Sequence, residues 1–296
     1  MKLAWLAATV ACLLSPLSCA SAWAQVEAKP KPKFAQTTTQ HADIARVVDA
    51  KEGERLMVDI AVGSIDCSVD EKASETRVSA EFTVDGTDAA DAARRAKLVK
   101  LYAERASDGT IIVDAIFPGK RLPYDAVKLT VVAAPADDIV LKSATGSVHA
   151  KGTTGRLRAT TKTGAIAIES HRGPIDARAT DGRIDVTGAN EVVHATTTGG
   201  AVSVALADDN DQPFKIESRN GAVRVEVGAA FDGAVNMTTT GGAISVVDPS
   251  KRARISQYSD TRIVAEFGAA AGQSEIKTSN GAVTLVASPE PAKKPG

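Results

Sequence analysis

Along most of this chain apolar and polar residues alternate, and glycine interrupts the alternation at regular intervals. Strict alternation places every second side chain on one face of a pleated strand, so it predicts strands with one buried face. In ERLMVDIAVGSIDCSVD the apolar positions are Leu56, Val58, Ile60 and Val62, then Ile65, Cys67 and Val69 after Gly63. That pattern predicts two strands around a turn. TRVSAEFTVDG, TIIVDAIFP and VKLTVVAAP predict three more. Between them DAADAARRAKLVKLYAERAS is rich in Ala, Leu, Arg and Lys and free of Gly and Pro. It predicts one helix from about Asp88 to Ala106, with Thr87 as its cap and Asp108-Gly109 as its stop. Leu98, Leu101 and Tyr102 would form its apolar stripe, and Arg94, Arg95, Lys97 and Lys100 a solvated basic face.

From residue 138 onward the alternation becomes a repeat. A glycine, one residue, and Val or Ile recur at Gly146, Gly164, Gly182, Gly200, Gly221, Gly242 and Gly281, at intervals of 18, 18, 18, 21, 21 and 39. The last interval splits into 19 and 20 if Thr261 in SDTRIVAEF stands in for a glycine. Each period carries a second, weaker strand, such as GRLRAT, GPIDARAT or FKIES. One coil is then two short strands and two turns. Periods of this size mark a solenoid whose stacked coils bury a row that no single coil can bury. The inward row runs through Ile166 and Ile168, Ile184 and Val186, Val202 and Val204, Val223 and Val225, and Ile244 and Val246. The expected fold is mainly β: a β-solenoid (β-helix) of about eight coils of 18–21 residues, preceded by a strand-rich region carrying one α-helix. At about 4.8 Å per coil the stack would be on the order of 40 Å long.

The run VKLTVVAAPADDIVLKSATGSVHAKGTTGRLRATTKTGAIAIES, preceded by strands around GSIDCSV, resembles the DUF4097 family of β-strand-repeat proteins, also described as candidate adhesins. The resemblance covers roughly residues 45–287. It implies a bacterial envelope or secreted β-solenoid. It carries no established catalytic motif, so no site residue comes with it.

The ends of the chain differ from this body. Lys2 precedes an apolar run from Leu3 to Leu14, and Ala22-Trp23-Ala24 supplies the small-x-small pattern of signal-peptide cleavage. Residues 1–24 therefore read as a signal peptide cut before Gln25. The alternative, lipid attachment at Cys19, needs an aliphatic residue where Pro16 stands. The Lys/Pro-rich stretch 25–42 reads as a disordered spacer, 43–137 as an N-terminal β region, 138–287 as the solenoid and 288–296 as a disordered tail. Localisation follows as exported: periplasm, cell surface or secreted. No later run is long and apolar enough to predict a membrane span.

Composition narrows the function classes. Lys plus Arg number 35 and Asp plus Glu 36; removing Lys2 leaves 34 against 36, a net charge of −2. That balance and the lack of a basic stripe argue against nucleic acid. Aromatics at 4% leave few stacking platforms for sugars or bases. Cleavage would remove Cys12 and Cys19 and leave Cys67, which sits on the apolar face of its strand and reads as a small buried residue.

Candidate chemistry is sparse. His149, His171 and His194 stand at offsets 3, 7 and 12 from their glycines, so they do not stack into a metal site. His41 lies in the spacer, and His171 beside Arg172 reads as a turn residue. Asp176, Arg178, Asp181, Arg183 and Asp185 alternate with inward residues and read as a solvated face with ion pairs. Threonines at 160, 161 and 163, 196–198 and 238–240 recur near one corner. Their rows are interrupted by Ala144, Ser218 and Ser279, which favours a turn-stabilising hydroxyl ladder over a water-ordering array. No catalytic, cofactor-binding or metal-binding residue is assigned, and no cofactor is expected. The expected function is a non-enzymatic exported envelope protein, a β-solenoid with an adhesin-like or scaffold surface. The alternatives are a periplasmic envelope-stress sensor or regulator with the helix as partner site, and a polysaccharide-acting β-helix enzyme. Expected partners are an envelope glycan or protein, or a second copy of the chain.

Overall fold

A computed structural model describes residues 39–49, 53–269 and 272–288, which fall within one compact unit. The signal peptide, most of the spacer, Cys12, Cys19 and all of the tail except Ser288 lie outside the described residues. In chain order the first elements are β1 (Gln40–Asp49), β2 (Arg55–Ile60), β3 (Gly63–Val69), β4 (Glu75–Val84), α1 (Ala89–Ala96), β5 (Lys100–Arg105), β6 (Ile111–Ile116) and β7 (Ala126–Ala133). The repeats follow as β8 (Asp138–Thr145), β9 (Val148–Lys151), β10 (Arg156–Thr163), β11 (Ile166–Glu169), β12 (Ile175–Asp181), β13 (Ile184–Ala189), β14 (Val193–Thr197), β15 (Val202–Leu206), β16 (Phe214–Ser218) and β17 (Val223–Val227). The chain closes with β18 (Gly233–Thr239), β19 (Ile244–Val247), β20 (Arg254–Ser259), β21 (Arg262–Phe267), β22 (Gly272–Thr278) and β23 (Val283–Ala287).

These strands build two long sheets. Among the described residues one has the order β1-β4-β7-β3-β9-β11-β13-β15-β17-β23-β19, and the other β20-β21-β18-β22-β16-β14-β12-β10-β8-β2-β6-β5. We call them sheets A and B. Each repeat sends its weaker strand to sheet B and its glycine-led strand to sheet A, as in β10 and β11. Neighbouring repeats pair in parallel, like on like: Ile166 beside Ile184, Ile184 beside Val202, Val202 beside Val223. The inward Val, Ile, Leu and Ala of both sheets form one buried cluster, so the fold is solenoid-like. Cys67 is part of it.

Three features depart from the sequence-based expectation. First, the N-terminal β region does not stand apart from the repeats. β2 pairs with β8 and β3 with β9, both in parallel, so β2/β3 is itself a rung, with β6/β7 outside it.

Second, the last rungs stack out of sequence. β22 lies between β16 and β18, and β23 between β17 and β19. Thr261 does not begin a coil. It sits in the tight turn of the hairpin β20–β21, and β21 runs antiparallel to β18. The physical reason is the glycine column. At Gly146, Gly164, Gly182, Gly200, Gly221, Gly281 and Gly242 a Cβ would overlap the backbone carbonyl of the column glycine stacked beneath. Thr261 carries that Cβ and cannot enter the column. Space is the common requirement, since of these seven only Gly146 and Gly164 have a left-handed φ.

Third, the helix is short. It ends at Ala96, and Leu101 and Tyr102 belong to β5, antiparallel to β6. KLYAER alternates, burying Leu101 and Ala103 and exposing Tyr102, so a core-facing strand outweighs helical propensity there. The N-cap is Asp88 rather than Thr87; its carboxylate accepts the Asp91 N–H at 2.8 Å. Arg95 is not solvated. It is 6% exposed and forms a two-point ion pair with buried Asp125 at 2.8 and 3.2 Å. The spacer too is partly ordered, because β1 begins at Gln40.

Candidate functional site

The hydroxyl ladder is internal. Three positions before six of the seven repeat glycines, a Ser or Thr donates to the glycine carbonyl of the rung beneath. The bonds run Ser143 to Gly63, Thr161 to Gly146, Thr197 to Gly182, Ser218 to Gly200, Thr278 to Gly221 and Thr239 to Gly281, at 2.9–3.1 Å. Ala179 occupies the equivalent place in β12 and leaves the Gly164 carbonyl without this donor. Thr161, Thr197, Thr239 and Thr278 thus serve the fold, and the outward rows are where the charged side chains stand.

On sheet A the outward row holds Asp66 and His149 side by side. The His149 ring lies 3.4 Å from Asp66 Oδ1 and 3.5 Å from Glu169 Oε1, all three half-exposed. Arg183 pairs with Asp185 at 2.6 Å on the same sheet. On sheet B, Asp176 pairs with Arg178 at 2.9 Å and lies 3.7 Å from Arg158. Asp176 and Asp185 thus stand on opposite outer faces and cannot converge on one bond. His171 lies in the turn before β12 but is wholly buried, its Nδ1 2.8 Å from Thr153 Oγ1 and its Nε2 without a partner. Burial pulls its pKa down to about 4. Burial pushes the Cys67 thiol up to about 12, which keeps it protonated. Among the described residues no three His, Cys, Asp or Glu side chains are placed to share a metal ion.

A concavity of about 570 Å³ forms a groove on the outer face of sheet B. Its size falls in the usual range of ligand clefts, roughly 300–1,000 Å³. It crosses β14, β16, β22, β18 and β21 at the level where His194, Lys215, Glu275, Asn236 and Val264 stand in register. Arg262 adds its guanidinium, held by a 3.0 Å hydrogen bond from Nε to Asn236 Oδ1. Lys215 is fixed between Glu217 at 3.1 Å and Glu275 at 3.6 Å, and its hydrogen bond to Glu217 raises its pKa. Val192, Pro213, Ala234 and Val264 supply apolar floor between these groups. A row of amide, carboxylate, ammonium and guanidinium groups over such a floor suits a hydroxyl-rich or charged polymer. Sequence reading placed His194 in its period and FKIES as a strand, but not the groove. Asn236, Gln273 and Arg262 come together only because β22 inserts out of order and the hairpin bends back. The 39-residue interval was the one trace of this in the sequence.

The helix offers less. Its exposed residues are Ala89, Ala90 and Arg94, and the large apolar group near it is Leu98, half-exposed beyond its end. No helix of the described residues is long and apolar enough to cross a membrane, which leaves β-barrels unaddressed.

The Toastrack DUF4097 family model matches residues 95–286, more than half of the chain. Among solved structures, a candidate adhesin from Bacteroides fragilis NCTC 9343 is 14% identical over 83% of this chain and 96% of its own, with a TM-score of 0.39. A candidate cell adhesion protein from Clostridium sporogenes ATCC 15579 is 13% identical over 84% of this chain and 100% of its own, with a TM-score of 0.33. No curated protein matches the chain.

Proposed function

Because the chain belongs to the Toastrack DUF4097 family, we propose that it is a non-enzymatic, exported envelope protein acting as an adhesin-like scaffold, and that it holds an extended glycan in the groove of sheet B. Family membership supplies the frame and no reaction, so the reading rests on the site. The observation that carries it is the groove itself: polar side chains of four adjacent strands, His194, Lys215, Glu275 and Asn236, lie in one register, spaced about 4.8 Å apart. That spacing suits a polymer lying across the strands better than a single compact ligand. Each contact is shallow and no exposed aromatic anchors it, so affinity would come from repetition along one chain. The opposite placement of Asp176 and Asp185 favours holding a polymer over cutting it. Export is supported by the apolar run Leu3–Leu14 and by Ala22-Trp23-Ala24.

The test is calorimetry with neutral and anionic oligosaccharides of increasing length. Affinity should rise steeply with length and fall with salt where Lys215 and Arg262 take part. Arg262→Ala and Asn236→Ala should weaken binding, while Arg183→Ala, on sheet A, should not. Length-independent binding, or shortened products whose release is abolished by Asp176→Ala, would reject the scaffold reading.

A further inference from the structure

The two poles of the stack are finished differently. At the pole formed by β1 and β5 the edge strands are charged, with Asp43, Arg46 and Asp49 on one and Lys100, Glu104 and Arg105 on the other. Arg105 also ties that pole shut by reaching the Asp49 carbonyl and Glu54. Charge on an edge is the usual defence against strand pairing. The opposite pole lacks it. β19 ends sheet A as Ile-Ser-Val-Val, with Val247 47% exposed. β20 ends sheet B as Arg-Ile-Ser-Gln-Tyr-Ser, every residue exposed, and its one charge, Arg254, is already paired with Glu266. Ile255 stands opposite buried Ala265 and Tyr258 opposite buried Ile263, and a bulge between Ile255 and Gln257 puts both on the core side of the sheet. Beneath β21 the core is closed by Arg252 over the Phe267 ring. Beneath β20 nothing among the described residues covers them: Ile255 is 45% and Tyr258 75% exposed.

We propose that β20 is the seam of a two-fold dimer, pairing antiparallel with β20 of a second copy. The strand is self-complementary in that arrangement. With Arg254 opposite Ser259 of the partner, Ile255 falls opposite Tyr258 and Ser256 opposite Gln257. Two β-branched–aromatic cross-strand pairs then lie on one face, and no like charges meet. A two-fold seam repeats each contact twice and closes on itself. Pairing with the charged edges β1 or β5 of another copy would instead be head-to-tail.

Sedimentation of the purified chain from Gln25 onward over a concentration series tests this. The expected result is a monomer–dimer equilibrium that stops at the dimer. Ile255→Asp and Tyr258→Asp should each raise the dissociation constant at least about tenfold, as loss of a seam anchor does. Below the dissociation constant, where the chain is monomeric, neither should shift the melting temperature, because both side chains are exposed there. A second measurement fixes the register. Cys67 is buried, so a mixture of the single variants Ile255→Cys and Tyr258→Cys should form a mixed disulfide that neither forms alone. A monomer at all concentrations, assemblies that grow past the dimer, or a dimer indifferent to both aspartates would each overturn the proposal.

Discussion

At position 171 the structure seals a histidine away from water, and this has a consequence that depends on pH. Burial holds the His171 pKa at about 4, below the ordinary 6.5. As pH falls through 6.5 the unfolded chain takes up a proton that the folded one refuses. The stability contribution is therefore whole above pH 6.5, declines between 6.5 and 4, and levels off below. The full decline is on the order of 3 kcal/mol. Urea melts across that window should show His171→Gln losing less stability than wild type; equal slopes would clear His171 of the role. The turn was legible in the sequence, but the burial was not, because Thr153, which meets the ring, comes from the preceding rung. The gap at Ala179 gives a second prediction at this scale. Ala179→Ser should supply the missing donor to the Gly164 carbonyl and raise stability by about 1 kcal/mol. Thr197→Ala should lower it by a similar amount. Thermal melts of both variants check this, and a destabilising Ala179→Ser would mean the rung there is too tight for a hydroxyl.

Helix α1 is held by a side-chain clamp more than by an apolar stripe. Burial alone would raise the Asp125 pKa, but hydrogen bonds from Arg95 and from the Leu122 and Asp85 N–H groups outweigh it and leave the pKa below the usual carboxylate value. This stabilisation is present above the carboxylate range and is lost as pH falls through the lowered value. Asp125→Ala strands the Arg95 guanidinium in the interior, which typically costs about 3–5 kcal/mol. The double variant Asp125→Ala/Arg95→Met should recover much of that loss, and denaturant melts of the three proteins would show it. Arginines 94 and 95 look alike in sequence. Only the loop 118–125 distinguishes them, by covering one and leaving the other in water.

On the scale of the whole molecule the last strands of the chain are not the last in the stack. β22 and β23 join β16/β17 to β18/β19, so the segment from Gly233 to Phe267 has its parallel neighbour only when residues 272–287 have arrived. Truncation after Phe267 should therefore release more than it removes. Limited proteolysis of that fragment should yield a resistant core ending near Val227. A core ending near Phe267 would mean that β18/β19 docks directly on β16/β17.

Much was determined by sequence alone: the alternation, the inward residues, the glycine column, the hydroxyls before it and the solvated ion pairs. Each of these is decided within one rung, by whether a side chain meets water, core or a neighbouring backbone. The tertiary structure decided the order of the rungs, the hairpin in place of a coil, the strand carved from the predicted helix and the groove. The repeat explains why these were hidden. Every rung presents nearly the same edge, a valine or isoleucine row with a glycine, so pairing of β17 with β19 looks as favourable locally as pairing with β23. Which rung fills the slot depends on connection lengths and on where the hairpin can fold back, and those are properties of the assembled chain.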